Sequence, residues 1–175
     1  MRPIVYLLAL SAIAASALVP DAACAEDEQI ARGKYLAELG GCHHCHTPGY
    51  LRGKPDMARY LSGSDVGFET PGLGTFVAPN LTPDNETGLG AWTSDEIVTA
   101  LQTGVRPDGR ILSPIMPWRA FANLTKADAV AIVAYLKDLP AVKHRVPGPF
   151  GTDETPTVTV MKLVAPQDMQ MWTQP

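Results

Sequence analysis

Cysteine, aromatic residues and positive charge are all scarce in this 175-residue chain. Three cysteines are too few for the dense disulfide framework that stabilises small secreted domains. Fourteen Lys and Arg are outnumbered by 18 Asp and Glu, for a formal net charge of −4. An acidic balance argues against a nucleic-acid-binding surface. The sequence has no internal repeat, and its length fits one domain with a hydrophobic core.

The first 25 residues have the pattern of a secretory signal peptide. Arg2 gives a positive start, residues 4–19 are apolar apart from serine, and Ala23-Cys24-Ala25 offers small residues around a cleavage point. We expect cleavage after Ala25 and a periplasmic mature chain. Lipid attachment at Cys24 is an alternative, which the acidic Asp21 argues against.

The stretch GGCHHCHTPG, residues 40–49, contains both cysteines that would remain after cleavage. A Cys-x-x-Cys-His sequence is the attachment signature of c-type haem. Two thiols three positions apart on a short helical turn can reach the two vinyl groups of one porphyrin edge. Cys42 and Cys45 are therefore candidate covalent anchors, and His46 is the candidate proximal ligand of the iron. His43 and His44 are expected to face solvent.

Three other interpretations of this stretch explain less. A zinc site needs a second pair of ligands, and His144 is the only histidine outside the cluster. A thioredoxin-like pair needs a long helix after the motif, whereas Thr47-Pro48-Gly49 breaks the chain at once. A structural disulfide leaves His46 without a role.

An electron carrier needs a second ligand on the other face of the iron, and a methionine thioether raises the reduction potential. Met116 is the best candidate, because Pro114 and Pro117 flank it closely and stiffen its loop. Met57 follows His46 too closely in sequence, and the other methionines lie near the C-terminus. His144 is the alternative sixth ligand.

Three helices are predicted, over residues 27–39, 93–104 and 125–140. The first has apolar residues at helical spacing and ends at Gly40. The second opens with the capping box Thr93-Ser94-Asp95-Glu96, and the third stops before Pro140. Residues 47–91 are rich in Gly and Pro and are predicted to form irregular loops. The expected fold class is therefore all-α.

From residue 33 to residue 140 the sequence resembles a class I cytochrome c, with long loops wrapped around one covalent haem c. The resemblance implies that Pro79, in Ala78-Pro79-Asn80-Leu81, accepts the second N–H of His46. It implies that Trp92 donates to a haem propionate, although a packed aromatic residue is an equally simple interpretation. Met116 matches the methionine ligand of the family. Gly33 matches the glycine that lets an aromatic residue of the C-terminal helix pack closely.

The cofactor-binding residues expected in this way form one set, of which His46 and Met116 would bind the iron. They are Cys42, Cys45, His46, Met116, Pro79, Asn80, Leu81 and Trp92. Further apolar residues near the ligand loops are candidates for the pocket wall, namely Phe76, Leu81, Ile115, Trp118 and Phe121.

A narrower likeness links residues 78–84, 87–92 and 116–118 to one haem module of the cytochrome subunits of periplasmic alcohol, aldehyde and sugar-acid dehydrogenases. Those subunits carry several CxxCH motifs, and this chain carries one. The resemblance implies an electron-transfer protein, not an enzyme, whose partners are a dehydrogenase and a downstream cytochrome or oxidase. The alternative is a haem enzyme or gas sensor with a labile Met116 bond.

The expected organisation is a signal peptide in residues 1–25, a cytochrome domain in residues 26–140 and an extended tail in residues 141–175. Thr157-Val158-Thr159-Val160 alternates like a short strand. Pro147, Pro149, Pro156 and Pro166 favour an extended segment draped over the domain, or else docked to a partner.

Overall fold

The computed structural model describes residues 22–164, in which helices alternate with long loops. The helices are α1 (Ala22–Leu39), α2 (Cys42–His46), α3 (Ser94–Thr103), α4 (Trp118–Phe121) and α5 (Lys126–Asp138). Single 3-10 turns occupy Tyr50–Arg52 and Met57–Arg59, and the strands are β1 (Val66–Thr70), β2 (Gly74–Val77) and β3 (Thr159–Met161). Most of the predicted signal peptide, residues 1–21, lies outside the described residues. Within the described range, no helix is long and apolar enough to cross a membrane.

The expectation of an all-α fold is wrong, because three strands form a sheet in the order β2-β1-β3. The hairpin β1–β2 lies inside the segment predicted to be irregular. Its turn begins at Thr70, whose carbonyl accepts the N–H of Leu73 at 3.0 Å. Pro71 and Gly72 occupy the central positions, and Gly72 has a φ of +75°, the pattern of a type II turn. The strands are short, and their glycines hide the alternation that would have revealed them.

The helical part is built on the crossing of α1 and α5. A Cβ on Gly33 would lie 1.9 Å from the carbonyl oxygen of Ala131 and 2.9 Å from the Cβ of Tyr135. Only glycine therefore permits this approach, which is the close packing that the resemblance implied. Ala37 and Val133 are each 1% exposed in the core between the helices.

The ends of α3 and α5 follow from their capping residues. Thr93 accepts the N–H of Glu96, and the Glu96 carboxylate accepts the N–H of Thr93 at 2.7 Å, which completes the predicted capping box. Gly104 ends α3 in the left-handed conformation. Thr125 caps α5 through the N–H of Asp128.

Beyond α5 the chain runs back over the loops that follow α2. Val142 N–H donates to Thr82 at 3.1 Å, and His144 N–H donates to Thr87 at 3.1 Å. Phe150 exchanges two backbone hydrogen bonds of 2.9 Å with Thr75. Strand β3 then pairs in parallel with β1. Residues 142–161 are therefore packed along the loops and the sheet.

Candidate haem site

A cavity of about 810 Å³ lies between the helices and the loop segments. Its volume falls within the range of small-molecule and cofactor sites, about 300–1,000 Å³. Its walls are mainly apolar and come from α2, α3, α5, the hairpin, the loop around Met116 and the segment after α5. The lining includes Cys42, Cys45, His46, Phe68, Phe76, Pro79, Asn80, Leu81, Trp92, Ile97, Leu101, Met116, Phe121, Ile132, Leu136, Val146 and Pro149. All eight predicted cofactor-binding residues are in this lining.

His46 lies on the wall of the cavity, and one of its two ring nitrogens already has a hydrogen-bond partner. Its Nδ1 is 2.7 Å from the carbonyl oxygen of Pro79. A carbonyl only accepts, so Nδ1 carries the proton and Nε2 keeps a free lone pair. Burial lowers the pKa of His46, while its hydrogen bond to Pro79 raises that pKa to a smaller extent. A neutral imidazole with a fixed tautomer is the form that binds a metal.

The two thiols lie on α2, which brings them to the same wall as His46. Gly41 starts this short helix in the left-handed conformation, with a φ of +69°. Cys42 and Cys45 are both free and partly buried. Burial raises the pKa of Cys42 to about 11 and also raises that of Cys45.

Met116 also lines the cavity, in a loop closed by local hydrogen bonds. Its N–H donates to Ser113 at 3.0 Å, and its carbonyl accepts the N–H of Trp118 at 2.8 Å. Met57 and Met161, the other methionines in the described range, are 63% and 47% exposed and do not line the cavity. Met116 is therefore the thioether placed to face the same space as His46.

His144, the alternative ligand, has another partner. Its Nδ1 lies 2.8 Å from the carbonyl oxygen of Ser62, and the residue is not part of the cavity lining. His144 is half-buried, and its ring is already engaged in this contact. The structure therefore favours Met116 over His144.

Asn80 is 2% exposed and joins the loop after Pro79 to the segment after α5. Its Nδ2 donates to the carbonyl of Val142 at 2.7 Å and to Thr87 at 3.1 Å. Its Oδ1 accepts from the N–H of Thr82 at 2.9 Å and from the hydroxyl of that residue at 2.8 Å. Because Asn80 follows Pro79 directly, this network fixes the carbonyl that orients His46.

Leu81 and Trp92 complete the predicted set. The N–H of Leu81 donates to the carbonyl of Leu61 at 2.9 Å, which holds the Leu81 side chain against the cavity. Trp92 lines the cavity just ahead of α3, and the Arg106 guanidinium lies 5.2 Å from the centroid of its ring. Its backbone carbonyl accepts from Lys137 at 2.9 Å, which ties it to α5.

The prediction for the apolar wall is partly right. Phe76, Ile115 and Phe121 line the cavity as expected, but Trp118 does not. Trp118 instead packs on Gly104, where an added Cβ would lie 2.7 Å from its ring. Sequence reasoning missed the contributions of Phe68 and of residues 146–149. A Pro-Asp-Gly turn between Arg106 and Arg110 was an available signal for the two arginines that also line the cavity.

The two histidines between the cysteines differ from each other. His44 is exposed, as predicted, whereas His43 is half-buried. The ring of His43 stacks on Tyr60 with centroids 6.3 Å apart and meets Tyr50 edge-on at 5.1 Å. Burial lowers the pKa of His43. His43 therefore helps to pack α2 against the following loop.

The residues present fit a covalently bound haem. Two free thiols, an imidazole with an available nitrogen and a thioether share one apolar cavity, which is the donor set of a c-type haem. Within residues 22–164, no group of three or more His, Cys, Asp or Glu residues could hold a metal ion. The zinc interpretation therefore has no support in the described part of the chain.

Comparison with known proteins agrees with this site. Residues 30–140 match the family described as Cytochrome c. The fructose dehydrogenase cytochrome subunit of Gluconobacter japonicus is 34% identical over 152 residues, covering 83% of this chain and 30% of that protein. The cytochrome c subunit of the quinone alcohol dehydrogenase of Gluconobacter oxydans (strain 621H) is 38% identical over 111 residues, 63% of this chain and 21% of its own.

A third relative, the gluconate 2-dehydrogenase cytochrome c subunit of Pantoea cypripedii, is 33% identical over 135 residues, 77% of this chain and 28% of that protein. The chain thus spans between about a fifth and a third of the length of these curated relatives. Their names describe cytochrome subunits of dehydrogenases. This chain belongs to the cytochrome c family, and its CxxCH motif, Cys42 to His46, carries covalently attached haem c.

Proposed function

We propose that this chain is a periplasmic single-haem electron carrier in which His46 and Met116 would both bind the iron. In this proposal Cys42 and Cys45 hold the haem, and Pro79, Asn80, Leu81 and Trp92 shape its pocket. The observation that carries the proposal is that one cavity contains both thiols, the oriented imidazole and the thioether. Haem c supplies a one-electron change at the iron when it is bound.

The protein residues around the cavity favour transfer over catalysis. Two protein ligands leave no position for a substrate, so the environment of the iron changes little with its charge. The carbonyl of Pro79 holds the His46 ring, and the Asn80 network holds Pro79. Apolar walls exclude water and lower the local dielectric, which favours the less charged, reduced state.

The redox partners of this chain are inferred from the names of its relatives. Each of the three relatives is named as the cytochrome subunit of a dehydrogenase. We therefore infer that this chain accepts electrons from a periplasmic dehydrogenase and passes them to a downstream cytochrome or oxidase. The predicted signal peptide, residues 1–25, supports the periplasmic location, and residues 26–140 and 141–175 would be the haem domain and its tail.

The test is the spectrum of the protein produced in a haem-maturing, secretion-competent host. The ferric protein should show the weak sulfur-to-iron charge-transfer band, and Met116→Ala should abolish it and lower the reduction potential. Met57→Ala, at an exposed methionine, is the matched control and should change neither.

Two outcomes would contradict the proposal. Rapid carbon monoxide binding by the unmodified ferrous protein would favour a haem enzyme or gas sensor with a labile Met116 bond. Replacement of Cys42 and Cys45 by Ala should remove the haem-stained band from a denaturing gel. A persistent band would contradict the roles of both thiols.

A further inference from the structure

Arg106 lies at the cavity wall but is not among the residues proposed to bind the haem. It opens a tight turn between α3 and the Met116 loop, in which its N–H donates to the carbonyl of Arg110 at 2.9 Å. Its own carbonyl accepts the N–H of Gly109, also at 2.9 Å. Pro107 and Gly109 suit such a turn, and Gly109 has a φ of +80°. The turn therefore fixes the backbone of Arg106 at the cavity wall.

The guanidinium Nε of Arg106 is buried and has no hydrogen-bond acceptor within the described residues. The Asp108 carboxylate is 3.5 Å from Nε, close enough for an ion pair but outside hydrogen-bond geometry. The side chain is only 26% exposed and lies over the Trp92 ring. A buried N–H of a charged group without an acceptor is unfavourable, so this geometry points to an acceptor from a bound group.

Arg110, four residues later, provides an internal comparison. It lines the same cavity, but the Asp108 carboxylate accepts from its Nε at 2.9 Å and from its Nη2 at 2.7 Å. Its side chain is 56% exposed. The two arginines therefore share a turn and a charge, and only Arg106 has a free buried donor.

We propose that the Arg106 guanidinium binds a propionate carboxylate of the haem, held in place by the Trp92 ring. Among the described residues that line the cavity there is no Asp or Glu, so the propionates meet no acidic side chain on its wall. Arginine forms a planar fork that matches a carboxylate with two parallel hydrogen bonds. This inference rests on the proposed occupation of the cavity by haem.

The contact has a consequence for the redox equilibrium. A propionate charge near the iron favours the oxidised state, and a fixed cation beside that propionate offsets it. Arg106 therefore raises the reduction potential. Arg110 is more exposed and already paired, so water and salt screen its effect.

The experiment compares Arg106→Gln, Arg106→Lys and Arg110→Gln, each as the matured haem protein. Arg106→Gln should lower the equilibrium constant for reduction tenfold or more, which is about 59 mV for a one-electron couple. Arg110→Gln should lower it by less than about threefold, since exposed charges are screened. Arg106→Lys keeps the positive charge but not the planar fork of the guanidinium. Its equilibrium constant for reduction should lie between those of Arg106→Gln and Arg110→Gln. The propionate bending band in the resonance Raman spectrum should move in both Arg106 variants and stay in Arg110→Gln.

Equal potentials in Arg106→Gln and Arg110→Gln, with an unmoved Raman band, would overturn the inference. If Arg106→Gln does not mature, Arg106→Lys decides, and an unmoved band in that variant overturns the inference. The unmodified protein separates this failure from failure of the proposed function. A covalent haem with His46 and Met116 ligation would keep the proposed function intact even if the Arg106 contact were absent.

Discussion

The helical frame, made of α1, α3 and α5, and the loop wall, made of residues 47–91 and 141–161, are held together by different forces. The frame depends on close apolar packing, as where Gly33 meets Ala131. The loop wall depends on hydrogen bonds made by polar side chains, chiefly buried Asn80 and Thr82 and half-buried Thr87. Loops cannot bury a continuous apolar stripe, so they satisfy their backbone groups with side chains and bury apolar residues against the cavity.

The helical frame and the loop wall also contribute different parts of the cavity. The frame contributes the fixed surface formed by Ile97, Ile132 and Leu136. The loop wall contributes Pro79, which orients His46, and residues 146–149, which cover the cavity. Changes to the frame should therefore reduce stability, whereas changes to the loop wall should alter the haem environment as well.

Truncation after Pro140 should have the largest effect, because it removes the part of the loop wall that follows α5. Half-buried Val142, Val146 and Phe150 would be lost, together with the Val142 carbonyl that accepts from Asn80. We expect the free energy of unfolding to fall by about 4 kcal/mol and the reduction potential to fall as water reaches the cavity. Denaturant unfolding and a redox titration of the haem protein measure both quantities.

A second truncation, after Glu154, is the matched control. It keeps residues 142–150 and the Phe150 pairing with Thr75, and removes β3. Its potential should equal that of the full chain, with only a modest loss of stability. Similar potentials in both truncated proteins would show that residues 146–149 do not cover the haem.

Gly33→Ala tests the frame. The added Cβ would lie 1.9 Å from the Ala131 carbonyl oxygen, so α1 and α5 must move apart. We expect the free energy of unfolding to fall by about 3 kcal/mol, with little change in the potential of the protein that folds.

Gly151→Ala makes the same chemical change where no atom lies closer than 3.8 Å to the new Cβ. It should alter stability by less than about 0.5 kcal/mol. Equal thermal unfolding of the two variants would contradict the importance of the helix crossing.

The frame was predictable because its signals are local. Thr93 and Glu96 mark one end of α3 and Gly104 marks the other, all within one stretch of sequence. The CxxCH motif is equally local, and it indicates the haem without any knowledge of the fold. Tyr35 and Leu39 fit the predicted apolar spacing of α1 yet are 56% and 71% exposed, so even there periodicity overestimated burial.

The loop wall was not predictable because its contacts join distant parts of the chain. Asn80 bonds to Val142, 62 residues later, and β3 pairs with β1 across about 90 residues of sequence. No local pattern identifies the partner of a buried asparagine. The hairpin was missed because Gly67 and Gly74 interrupt two short strands. Trp118 was assigned to the cavity from its closeness to Met116 in sequence, whereas its ring is on Gly104.

Asn80→Ala tests the polar network of the loop wall. The change removes the Asn80 amide from the Val142 carbonyl and from the Thr82 hydroxyl, and the Val142 carbonyl keeps only the longer bond from Thr82, at 3.3 Å. We expect a loss of about 2 kcal/mol in the free energy of unfolding and a shift in potential, because Pro79 loses its support. Asn85→Ala, at an exposed residue of the same loop, should change neither quantity. A destabilised Asn80 variant with an unchanged potential would separate this network from the orientation of His46.

Thr93→Ala should have the smallest effect, because it removes one cap of a helix that tertiary packing also stabilises. The hydroxyl of Thr93 accepts the N–H of Glu96 at 3.2 Å, and its loss should cost about 1 kcal/mol. Ile97 and Ala100, on the buried face of α3, should keep their places, so the potential should stay constant while the unfolding midpoint falls. Thr99→Ala, at an exposed position within α3, is the control and should leave the midpoint unchanged. A lower reduction potential in the Thr93 variant would mean that the helical frame also affects the haem environment. It would contradict the assignment of that environment to the loop wall.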